Sequence, residues 1–397
     1  MKKILLSSCL CSFLFSADLS LLTQEKKELR ELEKTIIEQN HQTSKYEWVS
    51  PINLNGGLSR THSFSNESDK FTKSISIGFT QSIYKSGGIK FAIKYANDKN
   101  KADMLSWENE NSTILQNIYE IVLNISKINL QIQQSEYKLR NKEIELVLKK
   151  VQYEAGKTDI IELNNAIMDK NNEYKNNINF KNSLRQEELE LSKYTDLKYQ
   201  EIEILEFTTI TKDNYLQDNI NLLYENTLVD VLNSTYKKLK SSYLPNVTLS
   251  SSLSHSNSDD LINDDTTDST SGSIAVNFSM PLYDYNKNTA LAKSKIEVLK
   301  QKVNVESVKK EIEKDFEVAL SKIDTYKQYN KIINDNLKLY DDLITINESS
   351  NKAGMSATYD LDILKNTKQI NQYDLAINTI NMQQEYAKLY FKTKVNN

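Results

Sequence analysis

Proline and glycine are scarce in this chain: three prolines (Pro51, Pro245, Pro281) and eight glycines in 397 residues. Neither occurs in 89–155, 157–244, 282–353 or 355–397, segments rich in Lys, Glu, Leu, Ile, Asn and Gln. Both residues are costly inside a helix, so their absence over such lengths predicts long helices. At 1.5 Å per residue a helix across most of 89–155 would reach roughly 100 Å, longer than a single globular domain can use. The only cysteines, Cys9 and Cys11, lie at the extreme N-terminus. The three histidines, His41, His62 and His255, lie near no nucleophile or metal-ligand cluster, so the sequence predicts no enzyme and no cofactor. A basic excess is missing too: the formal net charge is -4, which argues against a nucleic-acid partner.

The N-terminus reads as a secretory signal. Lys2 and Lys3 precede an apolar stretch from Ile4 to Phe15, and the small residues Ser16 and Ala17 suit a cleavage site before Asp18. The stretch is shorter than the about 20 apolar residues that span a bilayer. Leu6-Ser7-Ser8-Cys9 resembles a lipoprotein box, but too little apolar sequence precedes Cys9. Loss of 1–17 removes both cysteines, two lysines and no acid, taking the charge from -4 to -6. No later segment has the apolar length of a membrane helix, so entry into a membrane would have to be through strands.

Two periodicities follow. Ile114, Ile118, Ile121, Ile125, Ile128 and Ile132 recur at spacings of three and four, as do Ile312, Phe316, Ala319, Ile323 and Tyr326. These are narrow seams facing partner helices. Four segments instead alternate: Ile52, Leu54 and Leu58; Ile75, Ile77, Phe79 and Ile83; Val247, Leu249 and Leu253; Ile274, Val276, Phe278, Met280 and Leu282, with Ser, Thr, Asn or Gly between most of them. Such segments fit a membrane β-barrel, apolar outward and polar inward, or half-buried strands of a soluble sheet.

The plan is written twice. Gly78-Phe79-Thr80-Gln81-Ser82-Ile83-Tyr84 lies over Asn277-Phe278-Ser279-Met280-Pro281-Leu282-Tyr283, and Gly156-Lys157-Thr158 over Gly354-Met355-Ser356. The expected organisation is a signal at 1–17 and a first repeat at 18–200, with strands about 50–64 and 72–86 and a tip turn at 156–158. A linker follows at 201–214, and a second repeat at 215–397 carries strands about 245–257 and 271–284 and a tip turn at 354–356. Alternation in Glu201–Phe207 predicts a short strand beside the long helices. Polar loops are expected at 60–72 and 255–271, holding His62 and His255. The second loop, with Asp259, Asp260, Asp264, Asp265 and Asp268, reads as solvated surface because it lacks the glycine-punctuated spacing of a calcium loop. Four strands cannot close a membrane barrel, and open edges are not tolerated in lipid, so three copies supplying twelve strands are expected.

Three motifs carry a family likeness: Tyr243-Leu244-Pro245-Asn246-Val247-Thr248-Leu249 entering a strand, Phe278-Ser279-Met280-Pro281-Leu282-Tyr283 leaving one, and the turns Tyr153-x-x-Gly156-x-Thr158-x-x-x-Glu162-Leu163 and Gly354-x-Ser356-x-x-x-Asp360-Leu361. In their order and duplication they resemble the TolC family of outer-membrane efflux proteins. The resemblance implies an α+β membrane protein: a homotrimeric 12-stranded β-barrel in the outer membrane, continued by a 12-helix periplasmic α-barrel. It implies outer-membrane lipid as surroundings, a periplasmic adaptor protein, and an inner-membrane transporter of RND, ABC or MFS type. Adaptor contact carries over to Tyr153, Gly156, Thr158, Gly354 and Ser356, and an acidic ring at the periplasmic aperture to Glu162 and Asp360. The other reading of both acids is helix first-turn carboxylates. Asn351 stands opposite Tyr153, and the basic latch of some relatives would fall at Ser356. The rival function, a structural envelope coiled coil or tether, accounts for the signal and helices but not for duplicated alternating strands. Drug efflux, metal efflux and type I protein secretion stay open as cargo.

Overall fold

The long breaker-free segments are realised as two very long helices. The computed structural model describes residues 19–65, 68–262, 264–352 and 358–394. In it α2 runs Gly88–Glu154 and α6 runs Lys287–Lys352. Helix α1 is Gln24–Tyr46, α3 Ile160–Leu191, α4 Lys212–Gln217, α5 Ile220–Ser241 and α7 Thr358–Tyr390. The strands are β1 Asn53–Ser63, β2 Ser68–Tyr84, β3 Asn246–Asp260 and β4 Asp265–Ser279. The expected signal, 1–17, and the expected tip turn, 354–356, lie outside the described residues.

Packing divides the chain into two compact units that cut across the two sequence halves. One holds 32–106 and 222–307; the other holds the chain through residue 31, 107–221 and the chain from 308 onward.

The first unit contains a single antiparallel sheet in the order β1-β2-β3-β4. Strands β2 and β3 come from different halves, so their pairing fuses the two repeats into one sheet. The register sorts the side chains into two faces. One presents Leu54, Ile77 and Leu253 in a row, then Phe79 with Ile274, Leu249 with Val276, and Tyr84, Val247 and Phe278. The other is a lawn of small polar groups, with rows Asn53-Gly78-Ser252-Ser273, Asn55-Ser76-Ser254-Ser271 and Gly57-Ser74-Ser256-Ser269. Hydroxyls meet across it, Ser252 to Ser273 at 2.9 Å and Ser254 to Ser271 at 2.8 Å. Gly78 is required there, because a Cβ would come within 2.8 Å of the Ser251 carbonyl oxygen.

Strands β2, β3 and β4 are longer than expected at their outer ends. Residues 68–71, 258–260 and 265–270, expected as loop alone, are strand, and His62 and His255 lie in β1 and β3. Apart from Phe71 their side chains are polar on both faces, so the alternation that marks a strand is missing while the backbone ladder continues.

In the second unit α2 is the common wall. Its Ile118, Ile121, Val122 and Ile125 bury against Leu22, Leu191 and Ile202. A second core joins Leu115 and Tyr119 to Phe207, Ile323, Tyr386 and Phe391. The strand expected at 201–207 does not form. A 3-10 turn at Tyr199–Glu201 gives way to extended chain without a strand partner. The alternation instead reflects one-sided burial: Phe207 enters the core, its N–H donates to Gln383 Oε1 (2.8 Å), and its carbonyl accepts from Gln383 Nε2 (3.3 Å). The amide side chain replaces the missing neighbour strand.

Arg30 fixes the start of α1 to α2. Its buried guanidinium donates to Asn111 Oδ1 at 2.6 Å, Glu110 Oε2 at 2.8 Å and the Trp107 carbonyl at 3.0 Å. The Trp107 indole N–H donates back to the Arg30 carbonyl at 3.0 Å. Arg30→Met keeps the packing volume but leaves Asn111 unpaired on that side. It should cost about 2 kcal/mol, read as a lower denaturation midpoint and faster hydrogen exchange in 24–31 than in α5.

Candidate functional site

The turn after α2 is built from backbone rules. Gly156 takes φ +67, the left-handed region that favours glycine. The Lys157 N–H reaches the Gln152 carbonyl at 2.7 Å and the Gly156 N–H the Tyr153 carbonyl at 2.9 Å. These two bonds make a Schellman cap that satisfies the last carbonyls of α2. Asp159 then caps α3, its Oδ1 accepting the Glu162 N–H at 2.9 Å. Two capping devices between Gln152 and Glu162 reverse the chain sharply.

The tip is apolar and exposed. Tyr153, Val151, Ile160 and Ile161 all stand in solvent, while Thr158 is half-buried. Glu162 lies in the first turn of α3 and pairs with Lys149 across the turn at 2.9 Å. Asp360 lies in the first turn of α7, exposed and with no ion-pair partner among the described residues. The two sequence-predicted acids thus occupy equivalent helix positions in different electrostatic settings. Gly354 and Ser356 lie outside the described residues.

Sequence reasoning missed a groove of about 490 Å³ between α2 and α7. It is lined by Arg140, Glu143, Val147, Tyr359, Asp362 and Lys365 among others. Only helix pairing brings these residues together, and no spacing in the chain signals it.

The two helical hairpins are fastened by ion pairs of opposite polarity. In the first, lysines on α2 meet acids on α3: Lys142 with Asp169 at 3.1 Å and Lys149 with Glu162. In the second, acids on α6 meet lysines on α7: Glu348 with Lys365 at 2.8 Å and Asp341 with Lys368. The hydrogen bond from Lys365 holds the Glu348 carboxyl below the usual carboxylate range. Contacts with Glu145 first, and then Asp169, outweigh burial and raise the Lys142 ammonium.

In the sheet-bearing unit the acids near the β3–β4 turn are engaged by neighbours. Asp259 accepts from Thr266 at 2.9 Å, Asp268 from Asn257 at 2.7 Å, and Asp260 from Ser68 at 3.2 Å. No metal-binding group of His, Cys, Asp or Glu occurs among the described residues, and no helix among them is long and apolar enough to cross a membrane.

Residues 213–391 match the family model described as outer membrane efflux protein. Among solved structures, the outer membrane protein VceC of Vibrio cholerae has a TM-score of 0.74 at 11% identity, over 95% of this chain and 93% of that one. CusC, described for transmembrane channel formation, has 0.70 at 14% identity, over 93% and 90%. The Campylobacter jejuni CmeC outer membrane channel has 0.69 at 13% identity, over 95% and 83%. No curated protein sequence matches the chain. The resemblance read from the motifs is therefore borne out.

An alanine Cβ at 156 would touch nothing within 4 Å, so Gly156→Ala should cost only its backbone term, about 1 kcal/mol. Exchange should quicken at 152–162 and not along 100–130, and Gly156→Asn should lose less. The Glu348 carboxyl is shifted down on folding, so its pair contributes above the unfolded pKa and is lost as pH falls through the folded one. Exchange in 341–352, corrected for intrinsic rates, should rise over that interval, and Glu348→Gln should remove the pH-dependent part.

Proposed function

We propose, from the premise that residues 213–391 match the outer membrane efflux protein family model, that three copies of this chain form the exit duct of an envelope export system. The observation that carries this reading is the sheet. It has unpaired edges at β1 and β4, an exposed greasy face and a face of small hydroxyls. In hydrocarbon every backbone N–H and C=O needs a partner, so a lone four-stranded sheet cannot stand there. Pairing β4 of one copy with β1 of the next gives twelve strands and no edge.

The dimensions agree. From the row of Phe278 to the row of Ile75 is five rows, about 27 Å along the strand at roughly 3.4 Å per residue. Tilted as barrel strands are, this approaches the apolar band of about 25 Å. The helices support the same symmetry. α6 exposes Ile332, Leu339 and Ile346, and α3 exposes Ile160, Ile167 and Tyr174, each at heptad spacing. These are seams awaiting partners.

In this reading the strands form a barrel in the outer membrane and the helices a periplasmic tunnel of twelve. Substrates delivered by an inner-membrane transporter pass through without energy input, in tripartite efflux or type I secretion. The periplasmic adaptor contacts Tyr153, Gly156, Thr158, Gly354 and Ser356. Glu162 and Asp360 form rings of negative potential at the aperture, favouring cations. A tether with no transport role leaves the hydroxyl-covered sheet face without purpose.

The mature chain has no cysteine, so paired cysteines along β1 and β4, scanned through successive registers, report edge pairing cleanly. One register should give oxidised trimers on gels, whereas a soluble monomer with no crosslink in any register would overturn the duct. In planar bilayers, Asp360→Asn should reduce cation preference more than Glu162→Gln, because Lys149 already offsets Glu162. Unchanged preference in both variants would remove the acids from the aperture.

A further inference from the structure

Charge is polarised along the sheet. At the end where strands meet helices, the segments 45–50, 84–91, 236–245 and 280–287 hold seven lysines, eight aromatic residues and only two acids, Glu47 and Asp284. At the opposite end, the strand tips and turns are dominated by aspartates, Asp259, Asp260, Asp264, Asp265 and Asp268 among them. The lysines at the helix end lie against aromatic faces: Lys237 is 5.9 Å from the Phe91 ring, Lys238 5.6 Å from Tyr95, and Lys287 5.7 Å from Tyr243. Tyr84 lies in the last row of the greasy face, Tyr283 and Tyr285 follow the end of β4, and all three stand largely in solvent.

Within this belt is a cleft of about 210 Å³, lined by Trp48, Lys85, Lys238, Ser241 and Ser242 together with Glu47 and the first turn of α2. Lys85 is exposed and has no carboxylate partner among the described residues. Lys238 Nζ is 3.3 Å from Glu47, an exposed pair of the kind that contributes little and exchanges partners readily. Ser241 and Ser242 donate to backbone carbonyls at 2.7 Å each, so their hydroxyl protons are spent within the chain and an anion there would rely on the lysines. The cleft therefore offers two ammonium groups beside an indole, next to the last row of the apolar face, Tyr84, Val247 and Phe278.

We propose that this cleft and its belt bind the phosphate headgroup of an anionic phospholipid in the leaflet nearest the helices, with the acyl chains along the greasy sheet face. The proposal rests on the barrel reading above. The chemistry is that of membrane interfaces, where aromatic rings lie at headgroup level and lysines attract anionic lipid. The occupant is a lipid rather than a free anion because the ammonium groups and the apolar rows are contiguous. A free phosphate would use only the first of these.

The test uses the full-length trimer in nanodiscs of phosphatidylcholine doped with phosphatidylglycerol, with bound lipid counted by native mass spectrometry after gentle release. Phosphatidylglycerol should be retained in preference to phosphatidylcholine. Preference should fall about fivefold per lysine in Lys85→Gln and Lys238→Gln, fall in 0.5 M salt, and persist in millimolar inorganic phosphate. Lys85→Arg, which preserves charge and fold, should keep it. Equal retention of the two lipids, an unaltered preference in the double variant, or displacement by inorganic phosphate would each overturn the site. A chain that never enters nanodiscs defeats the barrel reading and this proposal together, whereas a trimer that enters without lipid preference defeats this proposal alone.

Discussion

A strand edge in hydrocarbon has nowhere to send its hydrogen bonds, and water cannot repair the omission. That constraint governs how the described sheet has to be read. Four antiparallel strands satisfy their interior, but β1 and β4 each keep one side unpaired. A soluble protein would blunt such edges with charge, proline or a covering helix. Here the edge strands carry Leu54, Leu58, Ile274, Val276 and Phe278, all exposed. In the proposed duct the greasy face and the open edge share one remedy, closure with further copies.

The helical part solves a different problem, that of holding long helices in fixed order with a narrow apolar seam. Interhelix polar contacts distribute along the length: Ser135 with Glu173, Gln134 with Asp374, and Asn124 with Gln384. None is strong alone, but each fixes a register that leucine and isoleucine would leave free to slide. The reversed ion pairs near the tip add direction, since α3 offers acids to its neighbour where α7 offers lysines.

What could be read from the chain follows what burial writes into it. Strand centres were legible because one face is uniformly apolar, from Ile75 to Phe79 and from Ile274 to Phe278. The outer strand ends were not, because Thr72, Ser258 and Thr267 face the same way as other polar groups and no period remains. Glu201–Phe207 alternates convincingly yet forms no strand, since Gln383, distant in sequence, provides the hydrogen bonds a strand partner would. At the tip, Gly156 announced its turn by being the only glycine for tens of residues on either side, and it holds the positive φ that requires it. The partnership of Glu162 with Lys149 was hidden, because a turn brings together residues whose separation follows no helical or strand period.

The β2–β3 register slips between Ser82 and Tyr84, so that Ile83 is skipped and Tyr84 rather than Ile83 faces Val247. Just before it, Gln81 occupies an apolar-face position and spends its amide on the chain leading into β1: it accepts the Ser50 N–H at 2.9 Å and donates to the Trp48 carbonyl at 3.0 Å. An extra residue thus swaps a phase, delivering a phenol where the alternation would have delivered a hydrocarbon branch. The end of the greasy face is set by a backbone miscount rather than by a change in composition. A redesign that straightened β2 into an ideal strand would keep every residue type and still move the boundary at which the protein stops looking like oil.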